Sequence, residues 1–343
     1  MKHTTISLDL AKVVIQVCHI DRQGEILFNK PMSPEKTEQF LVQAKPCVVA
    51  MEGCGSFHHW ARLAQKHGHT VKGMSPKHVK PFISKQKTDA NDAIGIAIAS
   101  SQISMPLCQV KTVEQQSLQS LQVSRKWFDK TITSLGNHMR ALCYEFGATI
   151  AKSKVALRHR ILALLDDEDI ALPHAIKRIL GVLWEQYTTL SEQKNTLTKQ
   201  IEVAAADSPQ CQQLMKIEGI GSIGAVGLVS SLGDGRGFKN GRHASVYIGA
   251  TPKQFSSGGK VIMLGINKHG GDKALRSVLY QGAMSVISRL PDVAQTYKQQ
   301  WLIELVRRVG LKRACVALIN KNIRTAWALL FHQTDYQVQA INP

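Results

Sequence analysis
The stretch Thr4-Thr5-Ile6-Ser7-Leu8-Asp9-Leu10-Ala11-Lys12-Val13-Val14-Ile15-Gln16-Val17-Cys18-His19-Ile20 decides how the chain begins. β-Branched and apolar residues dominate both halves, and only a very short polar break at Ala11-Lys12 separates them. It therefore reads as two strands, Thr4–Leu10 and Val13–Ile20, joined by a tight turn. A third strand, Glu25–Asn29, follows the polar Asp21-Arg22-Gln23-Gly24. Ser33-Pro34-Glu35 then starts a helix reaching about Ala44, with a capping serine, a proline at the first position and an acid in the first turn. Cys47–Met51 is a short buried strand, Phe57–His67 a helix, Thr70–Met74 a strand and Pro76–Ile83 a helix. Thr88 or Asp89 caps a further helix to about Ser101. Strands first, then alternating helices and strands, predict an α/β domain with a mixed sheet covered by helices.

The middle of the chain has a different texture. Leu121, Phe128, Ile132, Leu135, Met139, Leu142 and Phe146 recur at alternating steps of three and four, with Arg125 in a gap. Ile176, Leu180, Leu183, Tyr187, Leu190, Leu197 and Ile201 repeat the pattern, with Lys194 in a gap. Such heptads predict a helical coiled coil, as an antiparallel internal hairpin, a dimer seam or both; two ordinary bundle helices also satisfy the pattern. The acidic run Asp166-Asp167-Glu168-Asp169 between them reads as a solvated turn. Further on, Ile217-Glu218-Gly219-Ile220-Gly221 is like a helix-hairpin-helix, whose glycines Gly219 and Gly221 would free N–H groups for a phosphate. A glycine-rich turn that touches nothing also satisfies it. The glycine-rich residues 233–272 read as loop or short strand, and helices follow at about Asp272–Arg289, Asp292–Arg308 and Lys312–Phe331. The implied division is 1–105, 106–205 and 206–343.

The chain of 343 residues carries 43 Lys and Arg against 25 Asp and Glu, a formal charge of +18. Such a charge attracts polyanions, nucleic acid above all. The seven cysteines include no Cys-x-x-Cys pair, which argues against a zinc finger and a disulfide framework. No apolar run is long enough to span a membrane, and no signal peptide is visible, so a reduced cytoplasmic setting is expected.

Asp9 and Glu52 stand at the ends of strands that can lie side by side, and Asp89 and Asp92 are three apart on one helix face. Four clustered carboxylates repel, and two Mg²⁺ ions would resolve that repulsion and clamp a phosphodiester. An N-cap role for Asp89, with the others as solvated strand ends, also satisfies the spacing.

Leu8-Asp9-Leu10-Ala11-Lys12, Met51-Glu52-Gly53-Cys54-Gly55 and Lys87-Thr88-Asp89-Ala90-Asn91-Asp92-Ala93 together resemble the DEDD transposases of the insertion-sequence 110 family, including its 1111 branch. Tyr247-Ile248-Gly249-Ala250-Thr251-Pro252, Ser256-Ser257-Gly258-Gly259 and Lys268-His269-Gly270-Gly271 with Leu275-Arg276 extend the resemblance over nearly the whole chain. The family often has Gly-Leu before the proline, where this chain has Gly249-Ala250-Thr251. The resemblance implies a RuvC-like, ribonuclease-H-like N-terminal domain, Mg²⁺ at Asp9, Glu52, Asp89 and Asp92, and a mainly helical C-terminal transposase domain. It makes Ser257 a nucleophile that links covalently to DNA, with Ser256 as the other candidate in the doubled serine. Lys12, Lys260, Lys268 and Arg276 are candidate nucleic-acid contacts, the last three also as partners of charge on phosphorus; His269 is a loop residue or phosphate contact. The implied partners are element-end and target DNA, a noncoding bridge RNA and further copies of the chain, as a dimer or tetramer. A DNA invertase needs the same chemistry, whereas a junction-cutting nuclease would use water and leave Ser257 idle. An actin-like ATPase shares the Asp9-Leu10-Ala11-Lys12 type of start but needs a second phosphate loop that is not found; a non-catalytic DNA-binding protein leaves the carboxylate order unexplained.

Overall fold
The computed structural model describes residues 3–83, 86–166, 172–266 and 270–341. Contacts divide the chain into two compact units, Met1–Val113 and Glu114–Pro343.

The first unit is built on a six-stranded sheet of β1 (Thr5–Asp9), β2 (Ile15–Ile20), β3 (Ile26–Met32), β4 (Val48–Glu52), β5 (Thr70–Met74) and β6 (Leu107–Cys108). Its order is β3-β2-β1-β4-β5-β6. The β1–β2 and β2–β3 pairs are antiparallel, whereas β4 runs parallel to both β1 and β5. The mixed sheet agrees with the sequence reading, except that β6, antiparallel to β5, is too short to leave a periodic signal. Alternation along the strands separates two faces. Ile6, Leu8, Val49 and Met51 pack with Leu41 of α1 (Pro34–Gln43) and with Phe57, Trp60, Ala61 and Ala64 of α2 (Phe57–Lys66). Ala50 and Cys18 pack on the other face against α4 (Asp89–Ser100), through Ile96 and Ala99 and through Ala93 and Ala97 respectively. The helix expected over Pro76–Ile83 is a short α3 (Pro76–Val79) continued by a 3-10 turn.

The second unit is helical apart from one hairpin. The two heptad segments are α5 (Val113–Glu145) and α7 (His174–Ala206). Asp129 pairs with Lys194 at 2.9 Å, and Arg125 Nε donates to Thr198 Oγ1 at 3.0 Å, so the heptad-gap residues bridge the two helices in antiparallel register. Ile132, Met139, Leu180 and Tyr187 share one core, so these faces meet within the chain. Between them lies α6 (Lys154–Asp166), a helix that the sequence pattern does not announce and that ends where the acidic run begins. Its buried Leu157, Ile161 and Leu164 are helically spaced but interrupted by Arg158, His159 and Arg160. Of the acidic run, Asp167 to Asp169 lies outside the described residues. A second core joins the far ends of α5 and α7 to α8 (Pro209–Met215), α9 (Ser222–Leu232), α10 (Gly241–Ile248), α11 (Lys273–Ile287), α12 (Tyr297–Val309) and α13 (Leu311–His332). The same two long helices serve both cores, which makes this one unit. Helix α10 falls inside the glycine-rich region read as loop or strand; Asn240 caps it by accepting the His243 N–H at 3.1 Å. The same region also forms the hairpin of β7 (Pro252–Ser257) and β8 (Lys260–Ile266).

Candidate active site
Strand register brings the first two carboxylates together. Leu8 pairs with Met51 across β1 and β4, which places Asp9 beside Glu52 at the strand ends. Both lie one residue past side chains of the α1–α2 face, so both turn toward α4. Helix α4 is tied to that face by its own first turns: Ser7 Oγ donates to Ala93 O at 2.7 Å, and Asn29 Nδ2 donates to Ala90 O at 2.9 Å. Thr88, not Asp89, is the N-cap, accepting the Asn91 N–H at 3.2 Å. Asp89 and Asp92 are thereby released from capping and lie in the first turn of α4.

The electrostatics follow from this gathering. Burial raises the Asp9 carboxyl above its ordinary range, and the negative charges of Asp92 and Asp89 raise it further. Burial also raises Glu52, aided by Asp9 and Asp92. Lys87, exposed just before α4, opposes both shifts. The sequence reading missed this residue, whose signal is a cation two residues ahead of an acidic helix start. Asp92 Oδ1 is buried with no hydrogen-bond partner among the described residues. The donors are all oxygen, mutually repelling and partly unsatisfied, which suits a hard cation. Among the described residues, no group of three or more His, Cys, Asp or Glu side chains is gathered closely enough to hold an ion as it stands. Lys12 is exposed in the β1–β2 turn.

Ser257 occupies the tip of the β7–β8 hairpin. Ser257 pairs with Lys260, and the turn between them is Gly258 and Gly259, both with positive φ (55° and 75°). Two-residue turns of this hand match strand twist and favour glycine at both positions. Alternation separates the doubled serine. Ser256 lies on one face, where its Oγ accepts from Gln254 Nε2 at 2.8 Å. Ser257 lies on the other with its cross-strand neighbour Lys260, and its hydroxyl has no side-chain partner among the described residues. The hairpin is exposed on both faces, including Phe255 and Val261 at 62% each.

Arg276, expected at nucleic acid, is instead 8% exposed. Its Nη1 donates to Ile248 O at 2.9 Å and to Gly270 O. A Cβ on Gly271, whose φ is +66°, would stand 2.2 Å from Ile248 O. Arg276, Ile248, Gly270 and Gly271 thus form a joint at the base of the hairpin. Lys268 and His269 lie outside the described residues. Gly219 (φ +86°) is packed against Gly282 of α11, whereas Gly221 is the exposed N-cap of α9. One of the two expected phosphate-facing glycines is therefore spent on packing.

A mixed sheet that gathers carboxylates at the ends of its two central strands, in a chain that also carries an exposed serine hairpin, has the makings of a nucleic-acid-processing protein. Residues 6–146 match a family model described as a transposase, the DEDD type of IS110 elements, and residues 211–299 match one described as the transposase IS116/IS110/IS902 family. The transposase for insertion sequence element IS1111A of Coxiella burnetii is 35% identical over 98% of this chain and 92% of its own length. A probable family 20 transposase of Pseudomonas aeruginosa is 36% identical over 98% and 99%. A pilin gene-inverting protein of Moraxella bovis is 23% identical over 94% and 97%. The chain belongs to the IS110 transposase family, enzymes that cut and rejoin DNA. Among the described residues, no helix is long and apolar enough to cross a membrane.

Proposed function
We propose that the first unit is a RuvC-like, ribonuclease-H-like metal-dependent site, that Ser257 is a covalent nucleophile, and that the enzyme is guided to its DNA by a bridge RNA. The observation that carries the first part is the gathering of Asp9 and Glu52 with the first turn of α4, which bears Asp89 and Asp92: burial holds Asp9 and Glu52 above their ordinary carboxyl range, and the charge of Asp92 adds to both shifts. These four would hold Mg²⁺, in two ions. When bound, Mg²⁺ would screen the phosphodiester charge and favour the leaving oxygen. Lys87 offsets part of the acidic field where a phosphate must approach.

Ser257 Oγ forms a bond to phosphorus, its proton leaves to solvent or a nearby base, and one P–O ester bond breaks as the departing oxygen takes a proton. A hydroxyl of the incoming strand then reverses the step, restoring Ser257 and conserving the ester. Support for Ser257 over Ser256 comes from its tip position beside Lys260 and from the Gln254 bond that occupies Ser256. The division at 1–105, 106–205 and 206–343 is proposed as the functional one: carboxylates, helical spacer and serine. Lys12, Gly221, Lys260 and Lys268 remain proposed nucleic-acid contacts, and a dimer or tetramer is the proposed working form. The gene-inverting relative supports site-specific inversion as a second reading with the same chemistry.

The test is to incubate the full chain with element-end DNA in Mg²⁺, denature, and look for a protein–DNA adduct. Parent and Ser256→Ala should give one, and Ser257→Ala none, with DNA binding retained. Adduct from Ser257→Ala but not from Ser256→Ala moves the role to Ser256; strand cleavage without adduct in any of them leaves hydrolysis by water.

A further inference from the structure
The C-terminal unit holds a basic groove that contains none of the residues assigned to chemistry. Helix α10 begins against the middle of α13: a Cβ on Gly241 would stand 3.2 Å from Arg324 Cα and from the Arg324 carbonyl oxygen. Asn320 Nδ2 donates to Ser245 Oγ at 2.7 Å and holds the two helices in this contact. Beside it opens a cavity of about 610 Å³ whose lining includes Asn240, Arg242, Lys321, Arg324, Thr325 and Trp327. No lining residue is acidic. Arg242, Lys321 and Arg324 are exposed, and none of them is in an ion pair among the described residues. Two side chains of the wall have partners beside the groove. Lys321 Nζ sits over the Trp301 ring at 4.9 Å, and Trp327 Nε1 donates to Gly235 O at 2.9 Å. The start of α10 adds partial positive charge of the same sign.

Three exposed cations line one groove with no acidic residue among its lining, so the groove presents positive charge that nothing in its wall offsets. A polyanion offsets that charge, and a phosphate row meets several cations at once. We propose that this groove binds the phosphodiester backbone of a DNA strand, positioning the substrate without reading its sequence. The inference rests on the family's DNA substrate and not on the carboxylates or Ser257.

The test measures affinity of the full chain for a short DNA duplex of unrelated sequence between about 50 and 200 mM salt. Arg242→Gln, Lys321→Gln and Arg324→Gln should each flatten the log–log salt slope by about 0.9, and the triple variant by about 2.7. Arg324→Lys should keep the parent slope, and Lys66→Gln, exposed at the end of α2, should also leave it unchanged. Thermal melting of the single variants should match the parent, so they decide the matter if the triple variant does not fold. A triple variant with the parent slope overturns the proposal. So does a Lys66→Gln effect equal to that of Arg324→Gln, which would mark general charge loss, or an effect confined to an RNA duplex of the same sequence.

Discussion

Asp9 and Glu52 are carboxyl groups held where negative charge is unfavourable. Unfolded, they ionise near 3.8 and 4.5; in the fold they keep their protons to higher pH. The folded chain then binds more protons over that interval, so stability falls as pH rises from about 4 until both are ionised, and is level above that. Asp9→Asn should lose part of this fall and be at least as stable as the parent at neutral pH. Added Mg²⁺ should raise the melting temperature of the parent more than that of Asp9→Asn; equal rises would remove Asp9 from the metal site. His58 acts in the opposite direction. The Lys111 N–H donates to its Nδ1 at 3.2 Å, and burial pushes its pKa down to about 4. The unfolded chain takes up this proton near 6.5, so stability is lost as pH falls from about 6.5 toward about 4. His58→Gln should flatten that limb in pH-dependent urea unfolding. At the hairpin joint, Arg276→Gln leaves buried carbonyls short of a donor and should cost about 1–3 kcal/mol. Its covalent adduct yield should fall with it, while DNA affinity stays near parental; an unchanged yield would separate the joint from the serine.

At the scale of elements, the heptads of α5 explain both a success and a drift. Ile132 and Met139 are buried as the repeat requires, but further along Cys143 is buried in place of the half-buried Leu142; Phe146 lies past the helix end at Glu145 and is 42% exposed. A straight helix turns every 3.6 residues, so a stripe kept at 3.5 rotates away from its partner. Ile132→Asp should therefore destabilise the second unit by about 3–5 kcal/mol. Phe146→Asp should cost under about 1 kcal/mol, both read by chemical denaturation. The β7–β8 hairpin shows the reverse problem. Val261-Ile262-Met263-Leu264 is an unbroken apolar run of the kind usually found inside a sheet, yet it stands exposed on a two-stranded ribbon.

Over the whole molecule, 43 Lys and Arg stand against 25 Asp and Glu, a formal charge of +18. A surplus of that size attracts a polyanion, so nucleic-acid binding should weaken steeply with salt. RNA from the flank of the mobile element should bind more tightly than unrelated RNA of equal length, in competition measurements at one salt concentration. Equal binding of both would count against RNA guidance.

What the sequence determined by itself are the features carried by near neighbours in the chain. Strand alternation, the Ser33 cap and the carboxylate-bearing strand ends are of this kind; that Asp9 and Glu52 stand side by side was allowed by them and decided by the β1–β4 pairing. The Thr88 cap was legible too, as one of two candidates. The tertiary structure decided how distant segments use their polar groups. Arg276 looks like any basic residue until the Ile248 and Gly270 carbonyls claim it, and Gly219 looks free until Gly282 closes on it. Helix α10 was hidden among glycines because Gly241 is there for the approach of Arg324, a contact across more than eighty positions of chain. The family resemblance favours Ser257 over Ser256 by alignment alone, and the two gain a physical difference once the hairpin turn sends them to opposite faces, because side-chain direction in a strand is set by register, and register by the glycine turn.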